Sequence, residues 1–392
     1  MKKILVSLVS EQTIPNILVA AHCRPDEHWL ISTRQMEKLD KAGCIEKTLD
    51  LTGVVCPSKK IIVDQDSLSN CREGMVRLME EAGYEAEYTV NITCGNKVMA
   101  IAAYEAFRDS GQKVIVGYVP IGTNEFMRIF PERRPLTHPI EKRLTVEEYF
   151  CAYGFRITNR KRLKEAVNHA LSRRRLSEWI LNNHERLKGV LGFMYKHASD
   201  GRNKKHWQFS ARFERTPSVA ERKLLDELGF IVRNDGVVCK DLVKHEVAYI
   251  TGGWLEEHVF CVVNDLAEQG VLDDAMVGVA IESMGGVQNE LDVAFTKDNV
   301  FYHIECKTGG GDEMRDIIRG EIYKKGALST LLGKGERRAY ICTTLAAEDR
   351  LKALKTRAYD YGIEVLTVKD TRHLGLLLRR RFAEKDAEGR RG

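Results

Sequence analysis

Asn289-Glu290-Leu291-Asp292-Val293, followed by Phe301-Tyr302-His303-Ile304-Glu305-Cys306-Lys307, decides how the chain is read. Both pieces mix apolar and polar residues as half-buried strands do, and Thr296 to Asn299 between them is a turn candidate. Strands are therefore expected at about 290–295 and 300–305, with a further one at about 277–282. Successive side chains on a strand leave by opposite faces. Glu305 and Lys307 thus share one face, Cys306 takes the other, and the hairpin partner brings Asp292 alongside.

Two carboxylates and an ammonium at one strand end suit phosphodiester hydrolysis. Hard oxygen donors such as Asp292 and Glu305 hold magnesium or manganese, which polarises a phosphate oxygen and lowers the pKa of bound water. Lys307 can orient or deprotonate that water and offset charge building on phosphorus, and the Cys306 backbone carbonyl is a further candidate ligand. Upstream, Gly252-Gly253-Trp254-Leu255-Glu256-Glu257 opens a helix expected to run to about residue 268. Glu256 shares a face with Val259 and Phe260 and is taken as the helix carboxylate in preference to Glu257. Trp254 reads as a packing anchor and His303 as a structural histidine, while Thr308-Gly309-Gly310-Gly311 is a loop that lets backbone approach closely.

Outward from this region, the chain of 392 residues exceeds what one core usually organises. Its first part alternates β-branched runs at about 4–9, 29–32, 61–63, 88–92 and 113–118 with amphipathic stretches at about 14–22, 69–82 and 97–108, the order of a doubly wound sheet. Three of the eight prolines, Pro131, Pro135 and Pro139, break that alternation. Division is expected into a domain at 1–140, a helical connector at 141–215 rich in Arg, Lys and Asn, and a domain at 216–392. Helices are expected there near 220–228, 314–331 and 347–361, with strands near 237–239, 338–343 and 364–368.

Composition excludes several classes. The chain is 43% apolar and 30% charged, with no low-complexity tract, which argues for folded domains throughout. A net charge of only +5 means that any polyanion site rests on local runs such as Arg173-Arg174-Arg175, Arg202 to Lys205 and Arg379-Arg380-Arg381. Ten cysteines without a Cys-x-x-Cys pair argue against zinc and redox motifs. Ile4 to Val9 is too short for a signal peptide, and no run approaches a membrane span, so a cytoplasmic protein is expected.

The chain resembles CRISPR-associated ancillary nucleases that join an N-terminal CARF domain to a C-terminal PD-(D/E)xK nuclease. The resemblance rests on Leu8-Val9-Ser10-Glu11-Gln12-Thr13-Ile14-Pro15-Asn16 and on Asn91-Ile92-Thr93-Cys94-Gly95-Asn96-Lys97-Val98-Met99, similar to that family's Asn-x-Thr-Gly-Gly-Thr-Lys-x-Met loop with Cys94 for a Gly and Asn96 for a Thr. It rests also on the Trp-Leu-Glu of the helix and the Asp292, Glu305 and Lys307 set. The fold it implies is α/β, a Rossmann-like CARF domain followed by a restriction-endonuclease-like mixed sheet. It implies a homodimer with cyclic tetra-adenylate as allosteric activator, an endonuclease silent until that ligand binds, and single-stranded RNA or DNA as substrate, with nicking of duplex DNA as a further possibility. Ligand contacts are expected from Ser10, Gln12, Thr13, Thr93, Gly95, Asn96, Lys97, Gly122 and Asn124. These cluster on strand-to-helix turns, where free backbone N–H groups bind anions and doubly wound folds hold ligands. Two rival readings are a ligand-responsive nucleic-acid-binding regulator without catalysis and a ring nuclease that degrades the messenger in its own pocket.

Overall fold

The first sheet follows directly from the alternation. In the computed structural model, which describes residues 1–83, 86–309, 316–324, 332, 338–345 and 348–389, strands β1 (Lys2–Leu8), β2 (Glu27–Thr33), β3 (Ser58–Val63), β4 (Ala86–Asn91) and β5 (Lys113–Tyr118) pair in parallel in the order β3-β2-β1-β4-β5. The order of addition reverses between β1 and β4, so their carboxyl ends lie side by side at a switch point. Strands β6 (Glu125–Phe130) and β7 (Thr137–Pro139) add antiparallel at the edge. Pro131 and Pro135 thus lie in the loop of a hairpin in this sheet, and Pro139 ends its second strand. Proline sits where edge pairing needs no N–H, which is why the strands beside it were not expected.

Helix Val146–Tyr153, opened by a Thr145/Glu148 capping box, joins the two halves. Its Tyr149 and Phe150 lie in one cluster with Leu5 and Leu30 of the first sheet, Ile17 of helix Ile14–Cys23, and Leu291 and Phe301 of the last sheet. Strand β8 (Phe155–Ile157) then pairs with the edge of the third sheet, although the residues read as part of a helical connector. Three residues are too few for a period to register. Helices Arg160–Ser172, Arg174–Asn182 and His184–Ala198 follow, in keeping with a helical connector, but its last residues are the strand β9 (His206–Arg212), which with β10 (Ile231–Val232) and β11 (Val237–Val243) forms a small antiparallel sheet.

The third sheet, in the order β16-β15-β14-β13-β12-β8, is mixed. Strands β12 (Asp274–Ser283), β13 (Gln288–Lys297) and β14 (Val300–Lys307) are antiparallel, while β15 (Ala339–Thr343) and β16 (Ile363–Leu366) pair in parallel with β14 and each other. Helix Trp254–Glu268 covers one face, with Trp254 buried as its anchor. Of the helix expected at 314–331, residues 316–324 are helical and the remainder lies outside the described residues, as do Gly310 and Gly311. All ten cysteines are free. No described helix is long and apolar enough to cross a membrane.

One consequence is testable on stability. His28 is fully buried in β2, its Nε2 lies 2.9 Å from Ser7 Oγ, and burial lowers its pKa from 6.5 to about 3. The unfolded chain therefore binds a proton that the folded one refuses, so stability is complete above 6.5 and falls as pH drops toward about 3. Thermal melts should show His28 costing about 2 kcal/mol between neutral pH and about pH 5, a loss that a stable His28→Gln variant does not share.

Candidate active site

Asp298 and Asn299, with φ of 51° and 62°, make the β13–β14 connection a two-residue turn with both residues left-handed. Such a turn matches the twist of the strands it joins, and Asp and Asn tolerate it better than most residues. It fixes the register Val293↔Ile304, which sets Asp292 beside the end of β14. There Asp292 Oδ2 accepts the Cys306 N–H at 2.7 Å. In a strand the N–H and C=O of one residue leave on the same side, so the Cys306 carbonyl is directed toward the β13 edge as well.

Glu305 is only 4% exposed, and Lys307 Nζ donates to its Oε1 at 2.6 Å. Burial alone would lower the Lys307 pKa. Glu305 and Asp292 outweigh it and hold the ammonium above its ordinary value. Lys307 is thus a fixed positive donor in this arrangement rather than a base.

Helix Trp254–Glu268 brings Glu256 to the same place. Burial, then the charges of Asp292 and Glu305, push its carboxyl well above the usual range, against the pull of Lys307. Glu257 points elsewhere: Arg173 Nε donates to its Oε2 at 3.0 Å. The helix can start here because Tyr249–Gly253 forms a π turn in which Gly252 has φ 131°. A Cβ on Gly252 would lie 2.5 Å from Thr308 Oγ1, so only glycine lets the turn approach the residue after Lys307.

Two acidic residues were not assigned from sequence. Glu290 adds to the charge felt by Glu256, and its spacing of two from Asp292 on β13 was a usable signal. Glu321 Oε1 lies 3.9 Å from Lys307 Nζ, and nothing in the sequence tied it to the hairpin. The donors are all hard oxygen, and the crowding of carboxyls at Glu256 is what a divalent cation would relieve, so the set fits magnesium or manganese. Among the described residues, no three His, Cys, Asp or Glu side chains form a finished cation cage. Asp292 is engaged by the Cys306 N–H and Glu305 by Lys307.

At the switch point of the first sheet the two expected loops meet. Cys94 Sγ donates to the Gln12 carbonyl at 3.0 Å, and Ser10 Oγ accepts the Gln12 N–H at 3.2 Å. Gly95, with φ 76°, packs on Leu8, and Lys97 is exposed at the first turn of helix Lys97–Arg108. Other side chains are occupied. Thr93 Oγ1 bonds Asn91 and accepts the Val119 N–H, Asn96 caps the helix by accepting the Met99 N–H, and Thr13 Oγ1 donates to the Ala152 carbonyl at 2.5 Å. Gln12 Oε1 accepts the Tyr153 hydroxyl at 2.8 Å. Gly122 is exposed with φ 79°. Asn124 stands apart: its Nδ2 donates to the Asp298 carbonyl at 3.3 Å, and its Oδ1 accepts from Asn299 Nδ2 at 2.7 Å.

Residues 4–149 match the family of Card1 CARF domains, and residues 243–385 match the Card1-like endonuclease domain. The chain joins a Card1 CARF domain to a Card1-like endonuclease domain. Its endonuclease domain makes it a phosphodiester hydrolase. Two solved structures share the fold along nearly the whole chain. Protein VC1899 from Vibrio cholerae is 20% identical with TM-score 0.79 and covers 98% of each chain. Can2 from Sulfobacillus thermosulfidooxidans, in complex with cyclic tetra-adenylate, is 20% identical with TM-score 0.76 over 97% of this chain and 99% of its own. A type III CRISPR defence DNA nuclease activated by cyclic oligoadenylate reaches TM-score 0.56 at 16% identity, over 88% of this chain and 46% of its own. The comparison with curated proteins returns no match.

Proposed function

We propose that the chain is a cyclic tetra-adenylate-activated, metal-dependent endonuclease of type III CRISPR defence, acting in the cytoplasm as a homodimer on single-stranded RNA or DNA. The observation that carries the chemistry is the meeting of Asp292, Glu305, Glu256 and Lys307 at one strand end. Support for the messenger comes from the two loops joined at the β1–β4 switch point and from the fold shared with Can2 in its cyclic tetra-adenylate complex. A ring of four adenylates fits a twofold axis, with each protomer lending one set of loops. In this reading residues 1–140 sense the ligand, 141–215 connect, and 216–392 cut.

Asp292, Glu305 and Glu256 would hold magnesium or manganese, with the Cys306 carbonyl as a further oxygen. When bound, the cation supplies Lewis-acid polarisation of the phosphate and a water of lowered pKa. Lys307, kept charged by its carboxylate neighbours, donates to a non-bridging phosphate oxygen and offsets charge as phosphorus becomes five-coordinate. Glu256, whose carboxyl is pushed above its usual range by burial and by Asp292 and Glu305, would face the cation as a carboxylate ligand.

The test is cleavage of labelled single-stranded RNA, single-stranded DNA and supercoiled plasmid with manganese, with and without cyclic tetra-adenylate. Cleavage is expected only with messenger, lost in Glu305→Ala, and abolished by EDTA with recovery on excess manganese. EDTA-resistant cleavage would overturn the metal, and messenger binding without any cleavage would overturn the nuclease. Breakdown of the messenger itself that survives Lys307→Ala would favour the ring-nuclease alternative.

A further inference from the structure

Residues 150–242 lie between the two family matches. They carry 20 Lys and Arg against 10 Asp and Glu, whereas the whole chain is only +5, so the remainder is net acidic. Much of this charge is spent internally, as in the pairs Arg173–Glu257, Arg174–Asp265 and Arg215–Glu221. One stretch is different. From Tyr195 to Trp207 the only acid is Asp200, and Lys196, Lys204 and Lys205 are exposed with no ion pair among the described residues.

Aromatic rings are interleaved with these cations. Arg202 lies over the Tyr195 ring at 5.0 Å, and Lys204 over the Trp207 ring at 4.4 Å. Tyr195 is 46% exposed. The patch is also tied to the catalytic residues. Arg202 Nε donates to Thr251 Oγ1 at 3.0 Å, and its Nη2 bonds the Thr251 carbonyl. Thr251 belongs to the π turn that precedes Glu256, and the neighbouring Gly252 touches Thr308, next to Lys307.

We infer that Tyr195, Lys196, Arg202, Lys204, Lys205 and Trp207 form the platform that receives single-stranded nucleic acid and leads it to the cutting site. Cations spaced among rings grip the phosphate backbone and stack unpaired bases without reading sequence, and a duplex hides the base faces that such rings need. Arg202 is the joint, holding the platform against the turn that positions Glu256. This assignment rests on the nuclease reading above and names how its substrate is held.

The experiment measures binding of a fluorescent 20-nucleotide single strand and of its duplex to full-length Glu305→Ala protein with cyclic tetra-adenylate, so that no cutting is required. Adding Lys204→Glu and Lys205→Glu should weaken single-strand binding about tenfold and flatten the salt dependence of log K by about 1.4. The same charge change at Arg72→Glu and Arg77→Glu, on the exposed face of helix Leu68–Ala82, should alter binding by less than about twofold. Tyr195→Ala, which removes no charge, should weaken single-strand binding about fivefold and duplex binding hardly at all. Equal weakening by both charge pairs, unchanged binding in the Lys204/Lys205 variant, or duplex bound as tightly as single strand would each overturn the platform. Failure of the unmutated chain to cut would instead sink the nuclease reading and leave this binding result standing.

Discussion

Replacing Glu256 with glutamine is expected to cut the cleavage rate about 10³-fold and yet raise the melting temperature of the cation-free protein by about 3 °C. Both effects have one cause. Glu256 sits under burial and the charges of Asp292 and Glu305, which oppose its ionised form in the folded chain alone. A group whose folded pKa is raised contributes stability that is lost as pH climbs, so at neutral pH this carboxyl is a burden on the fold. Glutamine keeps the shape and removes the burden, and takes with it one of the carboxylates proposed to hold the cation. Glu257→Gln provides the contrast. Burial raises its carboxyl too, but that carboxylate is the partner of Arg173 at a part-buried position, so its loss strands the guanidinium and should lower the melting temperature while leaving the cutting rate within about threefold. Differential scanning fluorimetry and single-turnover cleavage on the two variants decide the matter. Loss of cutting in Glu257→Gln with full activity in Glu256→Gln would reverse the assignment.

How far the sequence carried is visible in particular elements. Helices Lys97–Arg108 and Trp254–Glu268 and strand β5 were expected at their observed bounds, the first closed by the stop signal Asp109-Ser110-Gly111. The β13–β14 hairpin was legible because period two places Glu305 and Lys307 on one face and the turn between the strands brings Asp292 alongside. What escaped was short or non-local. β8 and the β6–β7 hairpin have too few residues, or too many prolines, to show alternation. Glu321 reaches Lys307 through tertiary packing. Strand-to-helix turns identified Ser10, Gln12 and Gly95 as neighbours at the switch point, but they could not reveal which side chains the fold already uses. Thr13, Thr93 and Asn96 bind backbone, and Asn124 reaches across to the hairpin turn.

That last contact carries the second large prediction: Asn299→Asp should lower stability by about 3 kcal/mol and reduce messenger-dependent stimulation at least about tenfold. Asn299 is 7% exposed and makes bonds of both kinds. Its Oδ1 accepts the Leu144 N–H at 2.8 Å, while its Nδ2 donates to Asn124 Oδ1 at 2.7 Å and to the Lys142 carbonyl at 2.9 Å. Arg143 Nε adds a bond to Asp298 Oδ1 at 3.1 Å. The turn that sets the β13–β14 register is thereby fastened to the loop after β5, on the edge of the sheet where the messenger is proposed to bind. Aspartate keeps the acceptor and the left-handed backbone but turns two donations into oxygen–oxygen repulsion, so the effect isolates the clamp. Asn299→Gly accepts the φ of 62° more readily than any other residue and loses every side-chain bond, and it should uncouple to a similar degree. Messenger affinity, measured by calorimetry, should change little in either variant, because neither touches Ser10, Gln12 or Gly95. Full stimulation in both would move the signal path to helix Val146–Tyr153, which is bonded to Gln12 and Thr13 at one end and packs on Phe301 of β14 along its side. Two routes of that kind are separable by the same assay, since Tyr153→Phe cuts only the second.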